Sequence, residues 1–349
     1  MSDALSPLRR AIAALANRQS LPETLTAEVF GVVMSGAASP AQIAALLMGL
    51  RAKGETAEEV AGAASALRDA MVRVETPAAA AHVVDTCGTG GGAVPTFNIS
   101  TVAAFVAAGA GATVPKHGNR SFTSKCGSAD VLEALGVRIV LDAPAAGRVL
   151  REAGIVFLFA PSFHPAMKHV APVRRELGVP SVMNLVGPLA NPAGVRRQVI
   201  GVAERDRAAV VAEALARLGA EHALVVHGRV GMDEISPLGA TDVWEVQDGT
   251  VRTWTIDPER YRLGVGDLAP LQGGEPATNA QRLERILANG DGDAAGLAAV
   301  LLNAGAAIYV AGVAASFAEG IGRAREVVAS GAGRAALDRL RKATASISG

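Results

Sequence analysis

The stretch His82-Val-Val-Asp-Thr-Cys-Gly-Thr-Gly-Gly-Gly-Ala-Val-Pro-Thr-Phe-Asn-Ile-Ser-Thr101 passes from a short apolar run, through a glycine-rich turn, into a helical run that begins at Asn98. A buried strand at His82–Asp85, a glycine turn and a helix together read as the opening of a βα unit. Glycines let backbone amides come close to an anion. Asn98, Ser100 and Thr101 stand at the helix start, where side-chain oxygens and amides without an intrahelical partner face outward. The stretch therefore reads as a phosphate cradle or, more plainly, as a tight turn with an ordinary N-cap. Gly88, Gly90 and Ala93 also fit a dinucleotide fingerprint. No acidic residue lies near position 108 to hold a ribose, so nicotinamide cofactor binding is set aside.

Downstream, Val137–Leu141, Gly154–Ala160, Gln198–Val202 and His222–His227 read as further buried strands. Helical stretches at Pro144–Ala153, His164–Leu177 and Arg207–Leu218 separate them. This alternation predicts an α/β fold with a mostly parallel central sheet and helices on both faces. Thr241–Thr255 reads as a hairpin turning at Asp248-Gly249, and the chain is helical again from about Asn279. Upstream, residues 1–75 are helix only. Ser39-Pro-Ala-Gln42 and Thr56-x-x-Glu59 are capping boxes, the first with proline at the first helical position, and Gly54 closes the helix between them. The apolar stripes of this segment exceed what about four short helices bury alone, so another domain or subunit is expected against them. The expected division is 1–75 helical and 80–349 α/β, with mid-chain helices around 165–190 placed to pack on the helical unit.

Composition narrows the class. Among 349 residues, 33 Lys and Arg balance 33 Asp and Glu, and half the residues are hydrophobic, so the chain is globular and has no cationic surplus for a nucleic acid. Two cysteines, Cys87 and Cys126, cannot build a disulfide framework, and no four-ligand zinc spacing occurs. The apolar run Ala295–Val313 is interrupted by Gly296, Asn303, Gly305 and Gly312, which suits a buried helix better than a membrane span. The N-terminus has no signal-peptide core, and a cytoplasmic location is expected.

Three further clusters carry chemistry. Val114–Asp130 holds Lys116, Arg120 and Lys125 among Ser121, Thr123, Ser124 and Ser128, a flexible basic and hydroxyl-rich loop suited to a polyphosphate. Asp233-Glu234 follows a strand and suits Mg²⁺, although such a pair is by itself more often simply solvated. A helix opening at His164-Pro165 would carry Arg174 about three turns on, able to meet a substrate carboxylate or to form an internal ion pair with a residue such as Glu176.

These residues resemble a known family. Gly88-Thr-Gly-Gly, Asn98-Ile-Ser-Thr, Lys116-His-Gly-Asn-Arg, Gly127-Ser-Ala-Asp-Val-Leu-Glu-Ala-Leu-Gly136, His164-Pro-Ala-Met-Lys, Asn184-Leu-Val-Gly-Pro-Leu-Ala-Asn-Pro192 and Gly231-Met-Asp-Glu234 are similar to anthranilate phosphoribosyltransferases. The resemblance implies a Mg²⁺-dependent pentosyl transfer in tryptophan biosynthesis. The phosphoribosyl group of phosphoribosyl pyrophosphate (PRPP) moves to the amine of anthranilate, and pyrophosphate leaves. It implies PRPP contacts at Gly88, Gly91, Gly92, Thr96, Asn98, Ile99, Ser100, Thr101, Lys116, His117, Gly118, Asn119, Arg120, Ser121, Phe122, Thr123, Ser124 and Ser128. It implies anthranilate contacts at Gly88, His117, Asn119 and Arg174, and two Mg²⁺ ions held with Ser100, Asp233 and Glu234. No general base is assigned. A homodimer formed through the helical domain is implied, with no nucleic acid and no membrane partner. One departure stands out: the family's loop reads Gly-Thr-Gly-Gly-Asp, and here Gly92 takes the place of the Asp. Cys87 and Cys126 fall in the substrate loops, so thiol reagents are expected to inactivate, with PRPP protecting. A pyrimidine nucleoside phosphorylase would want Lys-His-Ser-Thr-Gly-Gly at the first loop, and a non-enzymatic nucleic-acid-binding relative would want a basic surface. Neither fits these residues as well.

Overall fold

A computed structural model describes residues 6–77, 80, 82–121 and 125–347. Phe122, Thr123 and Ser124 of the expected substrate loop lie outside the described residues. Helices α1 (Pro7–Ala16), α2 (Glu23–Met34), α3 (Pro40–Lys53) and α4 (Ala57–Ala70) open the chain. Both capping boxes form: Ser39 with Gln42 starts α3, and Thr56 with Glu59 starts α4. Gly54 ends α3 at φ 90°, a conformation that excludes most side chains. The fully buried Glu59 carboxylate is satisfied by the amides of Leu21 (2.8 Å) and Thr56 (2.9 Å) and by Lys53 Nζ (2.9 Å).

The strands are β1 (Asp85–Gly88), β2 (Val114–Gly118), β3 (Ile155–Phe159), β4 (Arg197–Gly201), β5 (His222–Gly228), β6 (Thr241–Gln247) and β7 (Thr250–Ile256). They are interleaved with α5 (Ile99–Gly109), α6 (Ser128–Ala134), α7 (Ala143–Ala153), α8 (Ala160–Phe163), α9 (Ala171–Leu177), α10 (Val182–Val186) and α11 (Arg205–Arg217), and followed by α12 (Pro276–Ala288), α13 (Ala294–Val310), α14 (Phe317–Ser330) and α15 (Ala332–Ala345). One sheet has the order β1-β4-β5-β6-β7, parallel through β5 and antiparallel after it. The parallel pair β2-β3 continues it on the far side through the bridge between Val83 and Thr113. The architecture is thus a small helical N-terminal domain and a large α/β domain with a mostly parallel sheet. The β6-β7 hairpin turns on Asp248 (φ 49°) and Gly249 (φ 78°), as a two-residue primed turn requires.

Two hydrophobic clusters hold the elements together. One is built on α5 and α13, which are buried on nearly every face. A Cβ on Gly320 of α14 would strike the Gly305 carbonyl oxygen of α13, so small residues set the closeness of that helix crossing. The other cluster joins Leu8, Phe30, Leu46, Leu50 and Leu67 of the first four helices to Val170, Val173, Val182 and Met183, and to Ala212 and Leu215 of α11.

Three expectations change. Val137–Leu141 is not a strand: Val137, Ile139 and Leu141 are buried in alternation, but the segment pairs with no strand among the described residues, and Arg138 bonds the carbonyl of Ile347 after α15 (2.7 Å). The first strand begins at Asp85 rather than His82. The helix expected over His164–Leu177 is broken into a 3-10 turn, Pro165–His169, and α9, because Pro165 and Pro172 lack the amides that a continuous helix needs.

Candidate active site

The carboxyl ends of β1, β2 and β4 and the segment after β5 meet, which is where open parallel sheets place their ligand crevice. Lys116 lies on β2, not on a flexible loop. Its register partner is Phe157 of β3, and its side chain is 3% exposed. Its ammonium donates to the Thr86 carbonyl and reaches Ser100 Oγ at 3.4 Å. Below it the fully buried Asp85 accepts from the His117 amide (3.2 Å) and from Asn191 Nδ2 (2.8 Å), which also bonds the Pro115 carbonyl (2.8 Å). Asn191 and Asp85 thereby lock β1 against β2 at the place where Lys116 emerges.

Asp233 and Glu234 are pressed against the glycine turn. The Ala93 amide bonds the Gly231 carbonyl (2.9 Å), and the Ser100 amide bonds Glu234 Oε1 (3.2 Å). A Cβ at Gly92 would stand 2.6 Å from Asp233 Oδ1, and one at Gly88 3.3 Å from Asp233 Oδ2. Burial pushes both carboxyls up, and the neighbouring Asp233 charge helps take Glu234 to about 8, against the pull of Lys116. Two adjacent half-buried carboxylates close to one ammonium favour the arrival of a further cation. Among the described residues no three His, Cys, Asp or Glu side chains are grouped to hold a metal. The donors present are two carboxylates and the Ser100 hydroxyl, an all-oxygen set that fits a hard ion sharing its shell with phosphate oxygens and water.

Residues 80–334 match the family described as "Glycosyl transferase family, a/b domain", and residues 9–71 match its "helical bundle domain". The chain is 48% identical over 335 residues to an anthranilate phosphoribosyltransferase of Myxococcus xanthus, covering 95% of this chain and 98% of that one. The structure of an anthranilate phosphoribosyltransferase from Thermus thermophilus superposes with a TM-score of 0.90 at 42% identity, covering 98% of this chain and all of that one. One from Saccharomyces cerevisiae, in complex with PRPP and Mg, superposes at 0.88 and 28% identity, covering 99% of each. The chain belongs to the anthranilate phosphoribosyltransferase family.

The residues expected of an anthranilate phosphoribosyltransferase fall into three groups. Gly88, Gly92, Ser100, Lys116, Asp233 and Glu234 converge as described. Gly118, Asn119, Ser121 and Ser128 form a compact loop: the Asn119 carbonyl accepts from the Ala129 amide (3.3 Å) and Ser128 Oγ (3.2 Å), and Asp130 Oδ2 accepts from the amides of Gly127 (2.8 Å) and Ser121 (3.4 Å). Gly91 lies in the open turn at φ 81°, and the Thr96 backbone backs onto Gly273. The third group is engaged within the chain itself. Arg120 is held by Asp130 (2.7 Å) and by Glu133 (2.6 Å), and Lys125 lies 4.0 Å from Glu275, whereas Lys116 turns inward to Thr86 and Ser100, close enough to feel the charges of Asp85 and Glu234. The Ile99 and Thr101 side chains are buried. The first amides of α5 are not open either: Ile99 bonds the Phe97 carbonyl (2.7 Å), Ser100 bonds Glu234, and Thr101 bonds the Asn98 carbonyl (3.0 Å). The expected helix-terminus anion cradle is therefore occupied from within by a carboxylate. Burial pushes up both cysteine thiols, Cys126 to about 11, which leaves little thiolate for the expected inactivation by thiol reagents.

Arg174 shares no hydrogen bond with the Lys116 group. It lies on α9, and its guanidinium bonds Asn184 Oδ1 at 3.3 Å. The sequence reading named His164 without giving it a role. Its ring lies 5.0 Å from that of His117, and among the described residues His117 Nε2 and both His164 ring nitrogens are buried with no partner at full hydrogen-bond geometry, although the Ala190 backbone lies near enough to His164 to oppose the effect of burial. Burial holds His117 down to about 3, with His164 and Lys116 adding repulsion, and burial holds His164 down to about 4. Unfolded histidines take up protons near 6.5, whereas these two refuse them when folded. The unfolded state thus binds more protons below pH 6.5, and stability falls as pH drops from there toward 4, by up to about 2.7 kcal/mol per pH unit for two sites. Denaturation of the native chain and of His164→Gln at pH 6.5, 5.5 and 4.5 checks this. The variant should lose about half of the histidine-dependent drop, and equal slopes would refute it.

Proposed function

We propose that this enzyme carries out the reaction its family is named for: the anthranilate amine displaces pyrophosphate from C1 of PRPP, giving N-(5-phosphoribosyl)anthranilate on the route to tryptophan. The observation that carries the reading is the meeting of the Lys116 ammonium, Ser100 and the Asp233-Glu234 pair at the carboxyl ends of the sheet. Ser100, Asp233 and Glu234 would hold Mg²⁺, taken as two ions, which when bound neutralises the departing pyrophosphate. Lys116 brings a positive charge to the same group; burial pulls its pKa down and the neighbouring Asp85 and Glu234 hold it up, and in so dry a site the charge acts strongly on a leaving anion. Gly88, Gly91, Gly92, Thr96, Asn98, Ser100 and, of the 116–128 segment, the described residues 116–121 and 125–128 border PRPP, with the backbone of Ile99 and Thr101 behind them. His117 and Asn119 border the approach of anthranilate, and Arg174 binds its carboxylate. The amine is neutral at pH 7, and the two imidazoles stay neutral without accepting its proton, so orientation and charge stabilisation, not a strong base, carry the step. We further propose that residues 1–75 form a dimerisation domain beside an α/β domain over 80–349, and that the enzyme works in the cytoplasm.

Loss of anthranilate fluorescence in the presence of PRPP and Mg²⁺ tests the activity. No turnover, or turnover of thymidine with phosphate instead, would overturn it. Gly92 supplies a second test. A carboxylate placed there would sit on Asp233, so Gly92→Asp should change the Mg²⁺ concentration for half-maximal rate, or the KM for PRPP, by more than about twofold. A magnesium titration identical to that of the native chain would count against this.

A further inference from the structure

We infer that Asn279, in the first turn of α12, is a positioning residue that fixes the orientation of Asn98 and, through it, the backbone at Cys126. The inference rests on the proposed role of Asn98 as a PRPP contact. Asn279 is 3% exposed. Its Oδ1 accepts from the Gly274 amide at 2.8 Å, and its Nδ2 donates to Asn98 Oδ1 at 3.0 Å. Asn98 Nδ2 in turn donates to the Cys126 carbonyl at 3.1 Å. A side-chain amide can be turned over with almost no change of shape, so only its partners determine which end is oxygen. Both ends of this chain are backbone groups that cannot exchange roles: the Gly274 amide only donates, and the Cys126 carbonyl only accepts. Between them each amide has a single orientation. Turning either one would set oxygen against oxygen or N–H against N–H.

The neighbouring contacts keep α12 from drifting away from Asn98. Arg282 of the same helix lies over the Phe97 ring at 3.9 Å and is held by Asp293 through Nε (2.6 Å) and Nη2 (2.9 Å). The Phe97 amide is bonded to the Leu271 carbonyl at 2.9 Å. The residue before Asn98 and the side chain of Asn98 are thus both referenced to one helix, 181 residues away in sequence. Although Asn98 occupies the N-cap position of α5, its side chain does not cap that helix. Its amide is turned instead toward Asn279 and Cys126.

A double-mutant cycle tests the assignment. Asn279→Asp keeps an acceptor for the Gly274 amide but sets a carboxylate oxygen against Asn98 Oδ1, and Asn279→Ala removes both bonds. Each should raise the KM for PRPP about 3- to 10-fold. The KM for anthranilate should stay within about twofold, and in an Asn98→Ala background either change should alter the KM for PRPP by less than about 1.5-fold, because its effect passes through Asn98. An unchanged KM for PRPP, additive effects in that background, or an equal rise of both KM values would overturn the inference. So would failure of both Asn279 variants to fold, which would make the residue purely structural. The Asn98→Ala chain alone tests the underlying reading: if its KM for PRPP is unaltered, Asn98 is not a PRPP contact, whatever Asn279 does.

Discussion

Replacing Lys116 by methionine should lower kcat/KM for PRPP by about 100-fold or more, roughly 2.7 kcal/mol of transition-state stabilisation. Methionine preserves much of the length of the stem and fills the same slot, so the change removes charge rather than volume. Two effects then act together. The cation aimed at the leaving pyrophosphate is gone from a position that is 3% exposed, where a charge is worth more than it is in water. Asp85 and Glu234, whose carboxyls Lys116 pulls down against the upward push of burial, also lose that counter-charge. More Mg²⁺ should be needed for half-maximal rate, since Glu234 would hold its proton more tightly. Lys116→Arg should not rescue: the slot between the Thr86 carbonyl and Ser100 Oγ accepts a compact ammonium on a strand, and a planar fork does not fit the same contacts. Steady-state rates with PRPP varied at saturating anthranilate check the expectation, with thermal unfolding as the control for folding. A kcat/KM within threefold of the native chain would refute the role of Lys116.

What the sequence made legible was local. The capping boxes, the Asp248-Gly249 hairpin and the parallel strands carry short-range signals of their own. Strand β2 does not: Val-Pro-Lys-His-Gly contains a lysine and a histidine that only the surrounding tertiary structure buries, so by composition it resembled a phosphate loop. The reverse held at Val137–Leu141, where alternation signals a half-buried extended chain without saying whether a strand lies beside it. Within the site, residue types named the chemistry but not the partners. Arg120 and Lys116 are equal cations in a sequence. Asp130 in the first turn of α6 and Glu133 in its second draw Arg120 away, whereas β2 carries Lys116 inward. The supporting amides were the least legible. Asn191 sits inside a quoted motif without a readable task, and Asn279 is joined to Asn98 only by the packing of α12 on α5 and α6.

Arg174→Ala should raise the KM for anthranilate about 30- to 100-fold, the cost of a charge-assisted contact of roughly 2–3 kcal/mol, and leave the KM for PRPP within about twofold. The sequence left two fates for this guanidinium, a substrate carboxylate or an internal ion pair. Among the described residues no carboxylate lies within ion-pair distance of it, although Glu176 is on the same helix. Its one side-chain partner is Asn184 Oδ1 at 3.3 Å, an oxygen that the Ser181 amide also uses at 3.1 Å. Burial works against the charge, pulling the guanidinium down from its usual value. A half-buried cation with a neutral, shared acceptor is a poor arrangement for stability and a good one for receiving an anion. Because Arg174 has no bond to the group around Lys116, its loss should act on one substrate and not the other. Arg174→Lys should recover little of the lost affinity, since an ammonium cannot present two parallel donors to a carboxylate. Aniline, which keeps the amine but lacks the carboxylate, should distinguish the native chain from Arg174→Ala far less than anthranilate does. An equal loss of affinity for PRPP and anthranilate in Arg174→Ala would place the guanidinium outside the anthranilate site.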